Sequence, residues 1–190
     1  RAASASGETR IHMDDTRAPA VIAAAVESCA EGLVQQCDGI VALCIGTDRS
    51  IGDALGPLVG SRLCDALTRG VTVLGTLDKP VHAGNLEESL ALIRRTFRRP
   101  LVVAVDACLG RAESVGMLTV GPGSLRPGAG VSKTLPPAGD LYLTGVVNVG
   151  GFMEYFVLQN TRLSLVMRMA QVAAAGLEQG LRSLLKRRGA

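Results

Sequence analysis

A three-layer α/β fold is predicted for this chain: a doubly wound, mostly parallel sheet with helices on both faces. Two short, uninterrupted apolar runs, IVALCI (40–45) and LVVAV (101–105), have the length and continuity of strands buried on both sides. Amphipathic stretches alternate with them, as in a chain of β-α units. The composition agrees, with 47% of the 190 residues apolar, 23 glycines for tight strand-to-helix turns and only five aromatic residues, so the core must be aliphatic.

The elements follow in order. Pro19 opens an Ala-rich amphipathic helix expected to run to about residue 37. Residues 40–45 are the first strand, 46–52 a loop, and Asp53 heads a second helix. Residues 71–74 are a second strand. LEESLALIRRTF (86–97) is a helix with Glu early and Arg late, as the helix dipole favours, and 101–105 is the third strand. Residues 116–120 and 141–147 are strand-like, but GPGSLRPGAGVSKTLPPAGD (121–140) between them holds too much Gly and Pro for a helix. A loop that long inside one domain is generally functional or disordered, and this one is expected to carry a site. A short helix (152–159) and a long one (163–186) end the fold, the latter closed by Lys186, Arg187 and Arg188. Residues 1–18 are expected to be a disordered lead-in and 19–190 a single domain, since a domain takes about 100–200 residues.

Several functions are disfavoured. Twenty basic and 17 acidic side chains give a net charge of +3, too weak a field for nucleic acid, and five aromatics cannot build a base-stacking surface. No apolar run reaches the ~18–20 residues that span a bilayer, because the best stretch, 21–34, is broken by Glu27 and Glu31. No membrane partner is expected. The polar first 17 residues have no hydrophobic centre of a secretion signal. Five cysteines without a C-x-x-C pair read as small core residues in a reducing compartment.

In an open α/β sheet, ligands bind beyond the carboxyl ends of the strands. Asp48 and Asp53 follow the first strand there, and Asp106 follows the third. Carboxylates from two such loops can converge and share a proton, one serving as base and the other as acid. Each also has a plainer reading: a helix N-cap for Asp53 and an Asx-turn for Asp48. Asp106 is harder to explain away, because a carboxylate that follows five buried residues is desolvated unless it is paired or used. His82 reads as a loop histidine, with a base or ligand role as the alternative. Cys108 lies two residues beyond Asp106. The loop Gly46-x5-Gly52 has neither a P-loop nor a dinucleotide fingerprint.

The segments GTDRSIGDALGP (46–57), TLDKPVHAGNL (76–86), VDACLG (105–110), PGAGVSKTLPPAGD (127–140) and TGVVNVGGFMEYFVLQNTRL (144–163) together resemble the spore germination protease superfamily, in particular its small YyaC-type sporulation branch. The resemblance implies a phosphorylase/hydrolase-like fold shared with the hydrogenase maturation endopeptidases. It also implies peptide hydrolysis by two aspartates, matched here by Asp53 in D-A-L-G-P and Asp106 in the strand-end D-A. In the maturation enzymes the acidic pair and a histidine grip nickel carried by the substrate, and no clear counterpart of that histidine is found. No cofactor or resident metal is therefore expected.

Within this reading Asp53 and Asp106 are catalytic. Asp48, Gly128, Gly130 and Lys133 bind substrate, with backbone N–H groups of 128–130 facing the oxyanion; Lys133 reads equally well as a surface charge. The implied partner is a protein or peptide, with small acid-soluble spore proteins as candidates, in the cytoplasm of a forespore or mother cell. A homo-oligomer stays open. Two rivals stand beside it: a non-catalytic sporulation regulator or assembly protein that keeps the scaffold, and a metal-dependent hydrolase drawing on Asp48, Asp53, Asp106 and His82.

Overall fold

The computed structural model describes residues 7–67, 69–128 and 135–189. Six strands form one sheet: β1 (Thr9–His12), β2 (Gly39–Cys44), β3 (Val71–Leu74), β4 (Pro100–Gly110), β5 (Met117–Pro122) and β6 (Leu141–Val149). Their spatial order is β1-β5-β6-β4-β2-β3. The four strands β3, β2, β4 and β6 are parallel, and β5 and β1 add an antiparallel edge. Five helices cover the sheet: α1 (Ala18–Cys29), α2 (Leu55–Ala66), α3 (Leu86–Thr96), α4 (Glu154–Gln159) and α5 (Leu163–Arg188). The doubly wound architecture is the one predicted.

The two faces follow from strand alternation. Ile40, Ala42 and Cys44 of β2 and Leu101, Val103 and Val105 of β4 turn toward α1, α2 and α5. Val41, Leu43, Val102 and Ala104 turn the other way, toward Leu86 and Ile93 of α3 and toward Leu125, Leu135 and Ala138 of the Gly/Pro-rich segment. One face thus carries α1, α2 and α5, with α4 joining through Leu158. The other carries a single helix and a loop, and that thinner cover leaves room for a cleft.

Four details differ from the expectations. Thr9–His12, placed in a disordered lead-in, is an edge strand in register with Met117–Val120, because Glu8 bonds Tyr142 and alternating side chains match β5. The helix expected to reach residue 37 stops at Cys29 and passes into turns, where Gly32 takes φ +79°. Strand β4 runs on to Gly110, so Asp106 lies within it, paired with Thr144, instead of at its end. Among the cysteines read as core, Cys44 is buried but Cys64 is exposed.

Candidate active site

The chain leaves β2 outward to β3, then crosses back through α3 to β4 on the other side of β2. The order of strands reverses between β2 and β4, and a crevice opens at their carboxyl ends there. A bridge between Ile45 and Val81 ties the segments after β2 and β3 together, and the Gly46 amide donates to the Val81 carbonyl at 2.8 Å. The loop after β2 closes on itself as the Thr47 amide donates to the Asp53 carbonyl at 3.0 Å. Gly46 sits at φ +143°, and a Cβ there would lie 2.0 Å from that carbonyl, so only glycine permits the closure.

These connections place Asp53 in a short 3-10 turn, Gly52–Ala54, beside Asp106. Both line one small cleft with a cavity volume of about 30 Å³, together with Gly46, His82, Pro127, Gly128 and Leu135. That is enough to hold a water, which needs about 10–15 Å³ of such space.

Asp106 is 7% exposed, and its position on β4 matches that of Val102 and Ala104, aiming it at the thin face. Burial pushes its pKa well above the ordinary carboxylate value, and the nearby charge of Asp53 pushes it further; the Ala107 amide, which donates to Oδ1 at 2.9 Å, opposes both. Burial also raises Asp53, to about 6, against a smaller opposite pull from the Thr47 amide. Both carboxyls are thus held toward their protonated forms, Asp106 the more strongly, and the pair is suited to share a proton. No capping hydrogen bond is made by the Asp53 side chain, so the N-cap reading does not account for it.

The other expected residues are distributed unevenly. Gly128 lines the cleft at φ +135°. Gly130 and Lys133 lie outside the described residues. Asp48 is exposed and is not among the cleft-lining side chains, and the turn there is made by Thr47, whose Oγ1 accepts from the Arg49 amide at 3.3 Å. Cys108 is pushed up to about 11 by burial and by Asp106, so it stays a neutral thiol and not a nucleophile.

His82 is the residue underrated by sequence. Its Nδ1 accepts from the Gly84 amide at 3.0 Å, and its own amide donates to Asn85 Oδ1 at 2.8 Å. A neutral ring held that way carries its proton on Nε2, which makes it a donor to an oxygen and disfavours metal binding through that atom. Among the described residues no three His, Cys, Asp or Glu side chains are grouped to hold a metal ion. The signal available in sequence was positional: His82 follows the strand that neighbours β2.

The motif TGVVNVGGFMEYFVLQN is buried through β6 and again at Leu158 of α4. Between the two, Phe152 is 88% exposed, Tyr155 and Phe156 are more than half exposed, and Met153 takes φ +56°.

The fold is a doubly wound α/β sheet that brings Asp53 and Asp106 to one cleft at its switch point. The structure is similar to a NiFe hydrogenase maturation protease, HycI, from Thermococcus kodakarensis KOD1, with a TM-score of 0.56 and 21% identity over 83% of this chain and 98% of that one. At that identity the likeness shows the fold. The chain belongs to the family described as "Protein of unknown function (DUF1256)", whose model matches residues 10–176. It is 59% identical over 138 residues to "Uncharacterized protein YyaC" of Bacillus subtilis (strain 168), covering 73% of this chain and 67% of that protein. No helix among the described residues is long and apolar enough to cross a membrane.

Proposed function

We propose that the protein is an endopeptidase whose paired aspartates, Asp53 and Asp106, hydrolyse a peptide bond with a water held between them. The observation that carries this reading is the cleft lined by both aspartates, where burial raises Asp53 to about 6 and lifts Asp106 well above the ordinary carboxylate value. Asp53 takes a proton from the water as its oxygen bonds to the carbonyl carbon. Asp106, with Oδ1 occupied by the Ala107 amide, offers its proton from Oδ2 to the carbonyl oxygen. The C–N bond then breaks as the nitrogen takes the proton held by Asp53, and the Asp106 proton returns when the carbonyl re-forms. His82 Nε2–H and the backbone at Gly128 are the groups on hand to hydrogen-bond the carbonyl oxygen as negative charge builds on it ahead of the Asp106 proton.

The sporulation setting, the cytoplasm of forespore or mother cell, and small acid-soluble spore proteins as substrates are the finer part of this proposal and come from the resemblance in sequence. Cleavage of those proteins should rise with pH through about 6 as Asp53 ionises, and Asp53→Asn should lower it about a hundredfold to ten-thousandfold. Absence of cleavage by wild type from pH 4 to 9, with and without divalent metals, would sink the reading.

The exposed Phe152, Tyr155 and Phe156 favour a second reading, a regulator or assembly protein on the same scaffold. Affinity capture from sporulating cells distinguishes them: Phe152→Ser loses the partner if that reading holds, while Asp106→Ala captures it normally and sporulates normally.

A further inference from the structure

A cavity of about 640 Å³ lies beyond β3. Its walls come from both faces of the sheet, with Cys64 of α2 on one side, Ser89 and Leu92 of α3 on the other, and Val73 and Leu74 of β3 between them. Since α2 and α3 cover opposite faces, they can line one cavity only where the sheet ends. The cavity is therefore a groove wrapped around the outer edge of β3.

Among the described residues β3 has β2 as its sole strand partner, so its other side presents unpaired backbone N–H and C=O groups. An edge of that kind takes up an extended chain as an added strand, main-chain bonds giving affinity and side pockets giving selectivity. Val73, Leu74, Val81 and Leu92 supply apolar contacts, and Leu92 is 46% exposed in spite of its size. Lys79 and Arg95 outnumber Glu88, leaving the groove mildly cationic. The groove also adjoins the aspartate cleft, because His82 lines both.

We propose that this edge is where the substrate docks: an extended polypeptide segment, apolar at alternate positions and not basic, lies along β3 and carries its scissile bond past His82 to Asp53 and Asp106. The proposal rests on the endopeptidase reading for the fate of the chain, but binding can be read separately. Cys64, exposed on the groove wall, is a native reporter. In Asp106→Asn protein, which binds without cutting, a purified small acid-soluble spore protein and unfolded casein serve as probes. Alkylation of Cys64 by a maleimide, identified by peptide mass, is expected to slow at least fivefold and saturably with one of them. Leu92→Glu should remove that protection and, in the wild-type background, raise KM with little change in kcat. Cleavage by wild type without protection of Cys64 overturns the groove and spares the endopeptidase. Protection without cleavage supports the groove and counts against the endopeptidase. The absence of both protection and cleavage overturns the groove.

Discussion

Replacing Asp106 by Asn is expected to abolish peptide cleavage and, at pH 8, to make the protein more thermostable than wild type. Both effects have one cause. In the folded state Asp53 and Asp106 hold their protons to higher pH than in the unfolded chain, so the folded form binds more protons. Their favourable contribution is fully present below the ordinary carboxylate range. It is lost as pH rises through about 6 for Asp53, and over a window reaching higher for Asp106. An amide has no proton to lose. Each pH unit over which folded Asp106 alone keeps its proton costs wild type about 1.4 kcal/mol relative to the variant, or roughly 2–4 °C in Tm per kcal/mol for a chain of this size. Melting curves of both proteins should nearly coincide at pH 4 and separate at pH 8, with the variant higher. A wild type that melts higher at pH 8 would mean that Asp106 is ionised and paired, and the proton-sharing mechanism would fall with it.

The second large effect concerns glycine on α2. Gly56 and Gly60 lie one turn apart on the helix face that meets the sheet. A Cβ on Gly56 would stand 2.0 Å from the Ile45 carbonyl oxygen, and one on Gly60 would stand 1.9 Å from that of Gly75. Backbone cannot move aside as a side chain does, so α2 must lift. Gly56→Ala should cost about 3 kcal/mol, the upper end for overpacking, and lower Tm by roughly 6–12 °C. The turn bearing Asp53 is joined directly to this helix, so the folded fraction should also lose cleavage, unlike a variant that is merely destabilised. Thermal melts and activity per folded molecule check both parts.

The parallel core was legible because strands buried on both faces must be continuously apolar, as 40–45 and 101–105 are. Asp106 was legible for the same reason, as a carboxylate terminating such a run. What escaped depends on contacts between distant segments. The strand Thr9–His12 is short, half exposed and recognisable only through its pairing with β5. His82 has no local signature and reaches the cleft because the Ile45–Val81 bridge holds two loops together. The exposure of Phe152 follows from where the chain leaves β6, which the apolar character of the residue does not announce. The groove beside β3 is a property of where the sheet ends, which composition does not specify.

The long helix α5 sets the order in which the molecule can be completed. Val166, Met169, Ala173, Leu177, Leu181 and Leu184 close the layer that also contains Ile22 of α1 and Leu55 of α2. A chain made from its N-terminus therefore has every strand of the parallel sheet before this lid arrives, with an aliphatic surface open to water. During that interval the nascent protein is a candidate for chaperone capture and for self-association. Release of a chain truncated before α5 should send it to inclusion bodies, whatever the state of its aspartates.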